Sequence, residues 1–357
     1  MAVDLVSVPS RAAGLVLGYA ADQVFGDPRR WHPVSGFGRL ARATEKALHS
    51  DNRAAGVVFT SVLVGSAVAL GGAADRATRS RPWLRTAVTA GATWVVLGGR
   101  SLSREARTLD AQLRDGDLAA ARVQVTHLVG RDPSRLDANG IARATIESVA
   151  ENTSDAVVAP LLWGALLGPA GLLGYRAANT LDARVGHRTP HLEKFGWASA
   201  RFDDLLNLAP ARLSALLAVG LGPRPRAAMR AWRRDAHKHP SPNAGPVEAS
   251  FAGALGVQLG GVNVYDGGTE DRGTLGDGPA PKPEDIGPTA RLASRVGLGA
   301  LAVAALIACG SRESSVQLLC PLPEKVQVAE SRSAHSISRR GETPGRLWRR
   351  SRLSATL

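Results

Sequence analysis

The sequence predicts an all-α, polytopic membrane protein, and three observations carry that prediction. Apolar residues make up 44% of the 357-residue chain, yet they come in blocks and not at a strand or helix period. One block, Ala54–Ala74, runs 21 residues without an ionisable side chain. At about 1.5 Å per residue it crosses a hydrocarbon core of roughly 30 Å. β-branched alternation, the mark of strands, is nearly absent.

The elements follow in order. Ala12–Ala21 is too short to span and reads as an anchor or membrane-edge helix. Asp4 precedes any basic residue, so the start makes a poor cleavable signal. Thr86–Gly99 is uncharged between Arg85 and Arg100 and spans only if those arginines snorkel. Arg100–Gln112 reads as an amphipathic helix leaving the membrane, with further helices at Leu118–Leu128 and Leu136–Ser154. Ala156–Tyr175 is uncharged but carries Pro160 and a Gly168-Pro169-Ala170-Gly171 break. Leu205–Gly222 is interrupted by Arg212, and Leu292–Gly310 carries Arg295 near its start. Four or five spans with helical cytoplasmic segments are expected, forming one membrane-embedded domain over 1–310. Residues 311–357 shift to a Ser/Arg-rich composition without periodicity and read as a disordered basic tail.

Composition excludes several classes. Two cysteines, Cys309 and Cys320, make no disulfide framework or cysteine zinc site. The net charge of +13 is spread over every polar segment, without a basic helix interleaved with aromatics. Basic loops at a membrane account for it better than nucleic acid, which is not expected as a partner. The two most basic loops, Arg100–Asp155 and Pro223–Arg291, are expected in the cytoplasm.

Dense polar runs border the apolar blocks. Gly26-Asp27-Pro28 and His32-Pro33-Val34 form a rigid turn after the first block. Glu147, Glu151 and Asp155, spaced i, i+4, i+8, share one helical face and repel one another unless a cation or cationic substrate lies between them. Asp203 and Adjacent Asp204, with Arg201 and Asn207, open an apolar helix. They suit Mg²⁺ held with a phosphate, or simply N-capping. The run Trp232–Gly245 mixes His237 and His239 with cations, Asp235, Asn243 and two prolines. Gly253–Gly261 is rich enough in glycine to bring backbone amides to an anion. No P-loop, dinucleotide fingerprint, nucleophile elbow or HExxH motif is present, so a nucleotide site would not be a P-loop.

At these runs the chain closely resembles the membrane-associated adenosylcobinamide-phosphate synthase (cobinamide synthase) family of cobalamin biosynthesis. The matching stretches are GDP with HPV at Gly26–Val34, GRDPSRLD at Gly130–Asp137 and ESVAENTSDAVVAPL at Glu147–Leu161. YRAANTLD at Tyr175–Asp182, FGWASARFDDLLN at Phe195–Asn207 and RRDAHKHPSPNAG at Arg233–Gly245 follow in order. The resemblance covers roughly Gly14 to Arg295 and does not reach the tail.

The resemblance implies an ATP-dependent amide ligase. It joins a propionate carboxylate of adenosylcobyric acid to aminopropanol or its phosphate and yields adenosylcobinamide or its phosphate. A carboxylate does not acylate an amine, because its leaving group is oxide; phosphorylating it first makes an acyl phosphate that an unprotonated amine attacks. On the family's pattern Asp182, Asp203 and Asp204 take Mg²⁺, with Asn207 supporting. Arg176, Arg201 and Arg234 take phosphate or corrinoid carboxylate. Glu151 and Asp155 receive the amine, and His237 or His239 is the base. Asp27, His32, Asn152, Asn179 and Asn243 join the substrate-binding set. The implied location is the cell membrane, multi-pass, with the active face cytoplasmic. The implied associates are the bilayer and other corrinoid-pathway enzymes.

Two other readings compete. A transporter predicts inverted repeats and charges within the spans; no repeat is visible, and the only charges inside the blocks are Arg212 and Arg295. A Mg²⁺-dependent membrane prenyl or phosphoalcohol transferase fits Asp203-Asp204 but needs a second acidic motif. Cytoplasmic substrates require all the polar runs on one face. The Gly-Pro-Ala-Gly break therefore predicts a re-entrant hairpin at Ala156–Tyr175, with Ala150 and Ala183 on the same side.

Overall fold

The computed structural model describes residues 9–27, 32–130, 132–187, 189–265 and 268–310. The first half of the chain forms α1 (Ser10–Phe25), α2 (Pro33–Leu48), α3 (Arg53–Thr78), α4 (Pro82–Val96), α5 (Gly99–Arg114), α6 (Leu118–Val125) and α7 (Ala138–Thr153). A π-helical turn at Ser154–Val158 leads into α8 (Ala159–Leu167), α9 (Pro169–Val185), α10 (Trp197–Leu221), α11 (Pro225–Asp235) and α12 (Ala244–Leu255). A hairpin of β1 (Leu259–Tyr265) and β2 (Gly268–Leu275) precedes α13 (Ile286–Gly310). The all-α expectation holds, with this antiparallel hairpin the one sheet among the described residues. The expected tail lies outside them.

Helix starts follow from local chemistry. Asn52 caps α3 by accepting from the Ala55 N–H, and Asp137 caps α7 by accepting from Gly140 at 2.7 Å. Small residues let helices approach closely. Gly14 and Gly18 of α1 lie directly against Thr89 and Thr93 of α4, where a side chain would collide. This explains the low aromatic content: the core is built mainly from Ala, Leu and Val, with Phe59, Phe195 and Phe251 its largest buried side chains.

Three helices are long and apolar enough to cross a membrane: Arg53–Thr78, Trp197–Leu221 and Pro283–Gly310. The outer face of α3 leaves Val57, Val58, Val62, Val68 and Leu70 exposed, a surface suited to hydrocarbon and costly in water. The buried Arg85 guanidinium meets Asp75 at 2.9 Å and ties α3 to α4. Two of the apolar blocks are not among those three helices. Thr86–Gly99 lies mostly in α4, whose 15 residues reach only about 22 Å. Ala156–Tyr175 turns back on itself.

That reversal positions the site. Gly168 carries φ +62°, a conformation that favours glycine, and the chain doubles back from α8 into α9. Pro169 suits the first turn of α9, which has no need of its missing N–H. Arg11 seals the end of α8 by donating to the carbonyls of Ala165 and Leu166 at 3.2 Å each. Upstream, Pro160 has no N–H for the Ala156 carbonyl and its ring crowds that carbonyl, so the preceding turn widens to π geometry. The Ala156 oxygen accepts from the Gly98 N–H at 3.2 Å instead. A second proline, Pro210, lies inside α10, which runs on through it. It leaves the Leu206 carbonyl to accept from the Trp163 indole at 3.1 Å, which fastens α8 to α10.

Candidate active site

The hairpin brings the two ends of the apolar block to one place. A polar cavity of about 90 Å³ is lined by Glu151 at the end of α7, Ser154 and Asp155 of the π turn, Asp182 of α9, and Asp203, Asp204 and Asn207 of α10. Ser241 and Asn243 close it from the loop before α12. Five carboxylates, separated by up to 53 positions in sequence, therefore face one small volume.

A hydrogen-bonded scaffold holds them. The Tyr175 hydroxyl donates to Asn207 Oδ1 at 2.8 Å, and Asn207 Nδ2 donates to Asp203 Oδ2 at 2.9 Å. Asn179 also hydrogen-bonds the Asp203 carboxylate. Asn243 donates to the Asp204 carbonyl at 2.8 Å and accepts from Arg212 at 2.9 Å, so the loop is pinned to α10. Gly186 hugs Asp182: a Cβ there would overlap Asp182 Oδ1.

The electrostatics are those of a site built for positive charge. Asp155 and Asp182 lie outside the three long apolar helices. Burial pushes the Asp155 carboxyl well above its ordinary value, with Asp203, Glu151 and Asp182 adding repulsion. Burial, with Asp204 as the largest repelling neighbour, raises Asp182 to about 6. Two oxygens on the cavity lining, Asp203 Oδ1 and Ser154 Oγ, are buried without a hydrogen bond among the described residues. Oxygen donors of this kind suit a hard divalent cation such as Mg²⁺. The carboxylates ring the cavity without already closing on one point: among the described residues no three Asp, Glu, His or Cys groups converge at ligand spacing. Unscreened repulsion favours that spread.

Arginine approaches from two directions. Arg176 interacts electrostatically with both Asp27 and Asp155, and Asp27 lies 3.7 Å from His32. Asp27 and His32 are thus tied to the site through Arg176, while Pro28–Trp31 lie outside the described residues. Arg201 is exposed and lies 3.4 Å from Asp204.

Other expected site residues do not line the cavity. Glu147 leaves the acidic row: it is buried, accepts from the Gly260 N–H at 3.0 Å and lies 3.9 Å from Arg143. The glycine-rich run does offer an amide to an anion, and that anion is Glu147. Asn152 donates back to Ser148 on its own helix. Arg234 is exposed and engaged with Asp235 and Asp277, at 2.7 and 2.6 Å. Asp235 also receives Lys238 and the Gly276 N–H, which anchors the β-hairpin. His237 is exposed. His239 is buried, with Nε2 3.6 Å from Glu248 and Nδ1 accepting from the Ser241 N–H at 3.0 Å. It holds the Ser241 loop from behind. Ser154 and Ser241 line the cavity and were not among the expected residues; both sit inside the polar runs that were.

The family model described as CobD/Cbib protein matches residues 15–293. The chain is 49% identical over 302 residues to "Cobalamin biosynthesis protein CobD" of Mycobacterium tuberculosis, covering 84% of this chain and 96% of that one. It is 45% identical over 305 residues to the protein of that name from Chromobacterium violaceum, covering 83% and 97%. To the Rhodobacter capsulatus protein it is 40% identical over 315 residues, again covering 83% and 97%. No solved structure matches.

Proposed function

Because this chain belongs to the CobD/Cbib protein family, we propose that it is the amide-forming enzyme of cobalamin biosynthesis that makes adenosylcobinamide or its phosphate. It joins a propionate carboxylate of adenosylcobyric acid to aminopropanol or aminopropanol phosphate and consumes ATP. The observation that supports this most is the convergence of Glu151, Asp155, Asp182, Asp203 and Asp204 on one cavity from three separate sequence runs.

The chemistry balances in two steps. A corrinoid carboxylate oxygen attacks the terminal phosphorus of ATP, and ADP leaves. The bound ammonium first gives up one proton to a carboxylate; the freed amine nitrogen then attacks the acyl carbon, inorganic phosphate leaves, and the nitrogen sheds a second proton. Asp203, Asp182 and Asp204 would hold Mg²⁺. When bound, the ion supplies charge neutralisation for the transferring phosphoryl group. Asp203 Oδ1 and Ser154 Oγ are the buried oxygens with bonding capacity left for it.

Glu151 and Asp155 bind the cationic amine. Asp155, raised by burial and neighbouring charge, is placed to take the proton the nitrogen sheds. Arg176 and Arg201 orient anionic substrate groups at the rim. Asn207 and Asn243 fix the carboxylates and the closing loop. His239 acts here as a positioning residue for Ser241 rather than as the base.

The test is product analysis. Membranes containing the chain receive adenosylcobyric acid labelled with ¹⁸O in its carboxylates, ATP, Mg²⁺ and either amine. The reading expects one corrinoid amide, ADP in equal amount, and one ¹⁸O in the released phosphate. Amide without ADP, or phosphate without label, contradicts the acyl phosphate. No amide with either amine contradicts the function.

A further inference from the structure

We infer that the groove between the last turn of α1 and the exposed face of α5 is a phosphate-binding site, occupied by the triphosphate of the nucleotide. The inference rests on the coupling reaction proposed above, which needs a nucleotide. The acidic cavity, at about 90 Å³, is too small for one. The α1–α5 groove has a volume of about 510 Å³, within the range of small-molecule sites, and Val24, Phe25, Arg100, Arg104 and Arg107 line it.

The three arginines sit at i, i+4 and i+7, on one face of α5. Arg100 lies in the first turn, where the backbone dipole is positive and no acidic residue sits, and Arg104 and Arg107 follow in the next two turns. Like charges at this spacing repel. Such an arrangement is unfavourable by itself and becomes favourable when an anion binds. The guanidiniums of Arg104 and Arg107 make no hydrogen bond or ion pair with any described residue. The acid that lines the groove, Asp115, lies eight residues beyond Arg107, about 12 Å along the helix.

Beside this basic row Phe25 is 73% exposed and Val24 69%. Phe25 is held edge-on against Trp94, with ring centroids 6.1 Å apart, and the Trp94 indole donates to the Gly26 carbonyl at 2.9 Å. A fixed, exposed aromatic face next to guanidiniums suits a base stacked beside its phosphates. A chain of residues links the groove to the acidic site: Arg100 packs on Gly26, the next residue is Asp27, and Arg176 interacts electrostatically with both Asp27 and Asp155.

The experiment measures equilibrium binding of radiolabelled ATP with Mg²⁺ to the purified full-length chain in phosphatidylcholine nanodiscs. Arg104→Gln/Arg107→Gln is compared with Arg226→Gln/Arg230→Gln, the same charge change on α11. The first pair is expected to weaken ATP binding about tenfold or more and to raise KM for ATP without changing KM for the amine. The second pair is expected to leave both unchanged. Equal binding by the first pair, or equal loss in both, overturns the inference. A first pair that keeps ATP affinity but loses phosphatidylglycerol from mixed nanodiscs overturns it in favour of a lipid headgroup. A wild-type chain that binds no ATP overturns the coupling reading and this inference together; unchanged binding in the first pair overturns the inference alone.

Discussion

Asp182 shows what burial does to a single carboxylate here. Its value of about 6 stands above the ordinary Asp value near 4. Between those values the folded chain keeps a proton that the unfolded chain has lost. This group's contribution to stability therefore falls as pH rises through that window. A bound cation takes the proton's place, so affinity falls as pH drops through 6. Mn²⁺ affinity, read by calorimetry, is expected to rise about tenfold from pH 5 to pH 7 on this one group. Equal affinity at both values contradicts a cation at Asp182. Most residues now lining the cavity were legible as polar runs against apolar blocks. Glu147 was misplaced because four residues overshoot a helical turn by about 40°. Eight residues put it about 80° from Asp155, and there the Gly260 amide receives it. That His239 and Arg234 stand off the cavity was not legible, because their partners Glu248 and Asp277 lie 9 and 43 positions further on, outside any local helical spacing.

At the scale of elements, the prolines shape the site. Pro160 widens the turn that carries Asp155, and a helix with an ordinary donor at 160 would close it to α geometry. Pro160→Ala is expected to keep or raise thermal stability while amide formation falls at least about tenfold, because Asp155 rotates out of the cavity. Unchanged activity with an unchanged melting temperature contradicts a role for the π turn. Helix positions were legible from the apolar blocks. The π turn was not, since a proline in a helical pattern signals a kink, a break or a first turn alike. The β-hairpin was not legible because Gly260, Gly261 and Gly273 break up its short strands.

For the molecule as a whole, the issue is how a chain with three helices fit to span brings distant runs to one face. The α8–α9 hairpin answers it if its two ends share a side of the membrane. Ala150 is fully buried, so a label belongs at Asn139 before it and at the exposed Ala183 after it. In a background with Cys309→Ser and Cys320→Ser, Asn139→Cys and Ala183→Cys are expected to react with an impermeant maleimide from the same side. Opposite reactivity contradicts the re-entrant arrangement. The glycine-proline break made this reversal legible in the sequence; the depth of the turn and the partner helix α10, joined through Trp163, were not.

The central claim is that the five-carboxylate cavity is where amide formation needs its cation, and Asp203 is the residue on which it turns. Its Oδ2 is held by Asn207 while its Oδ1 has no hydrogen bond among the described residues. The most direct measurement is the rate of corrinoid amide formation against Mg²⁺ concentration for the wild type and Asp203→Asn, in membranes holding equal amounts of each. The account predicts at least an about hundredfold loss in the variant, partly recovered by excess Mg²⁺. An Asp203→Asn chain that works at the wild-type rate over the same Mg²⁺ range would contradict it.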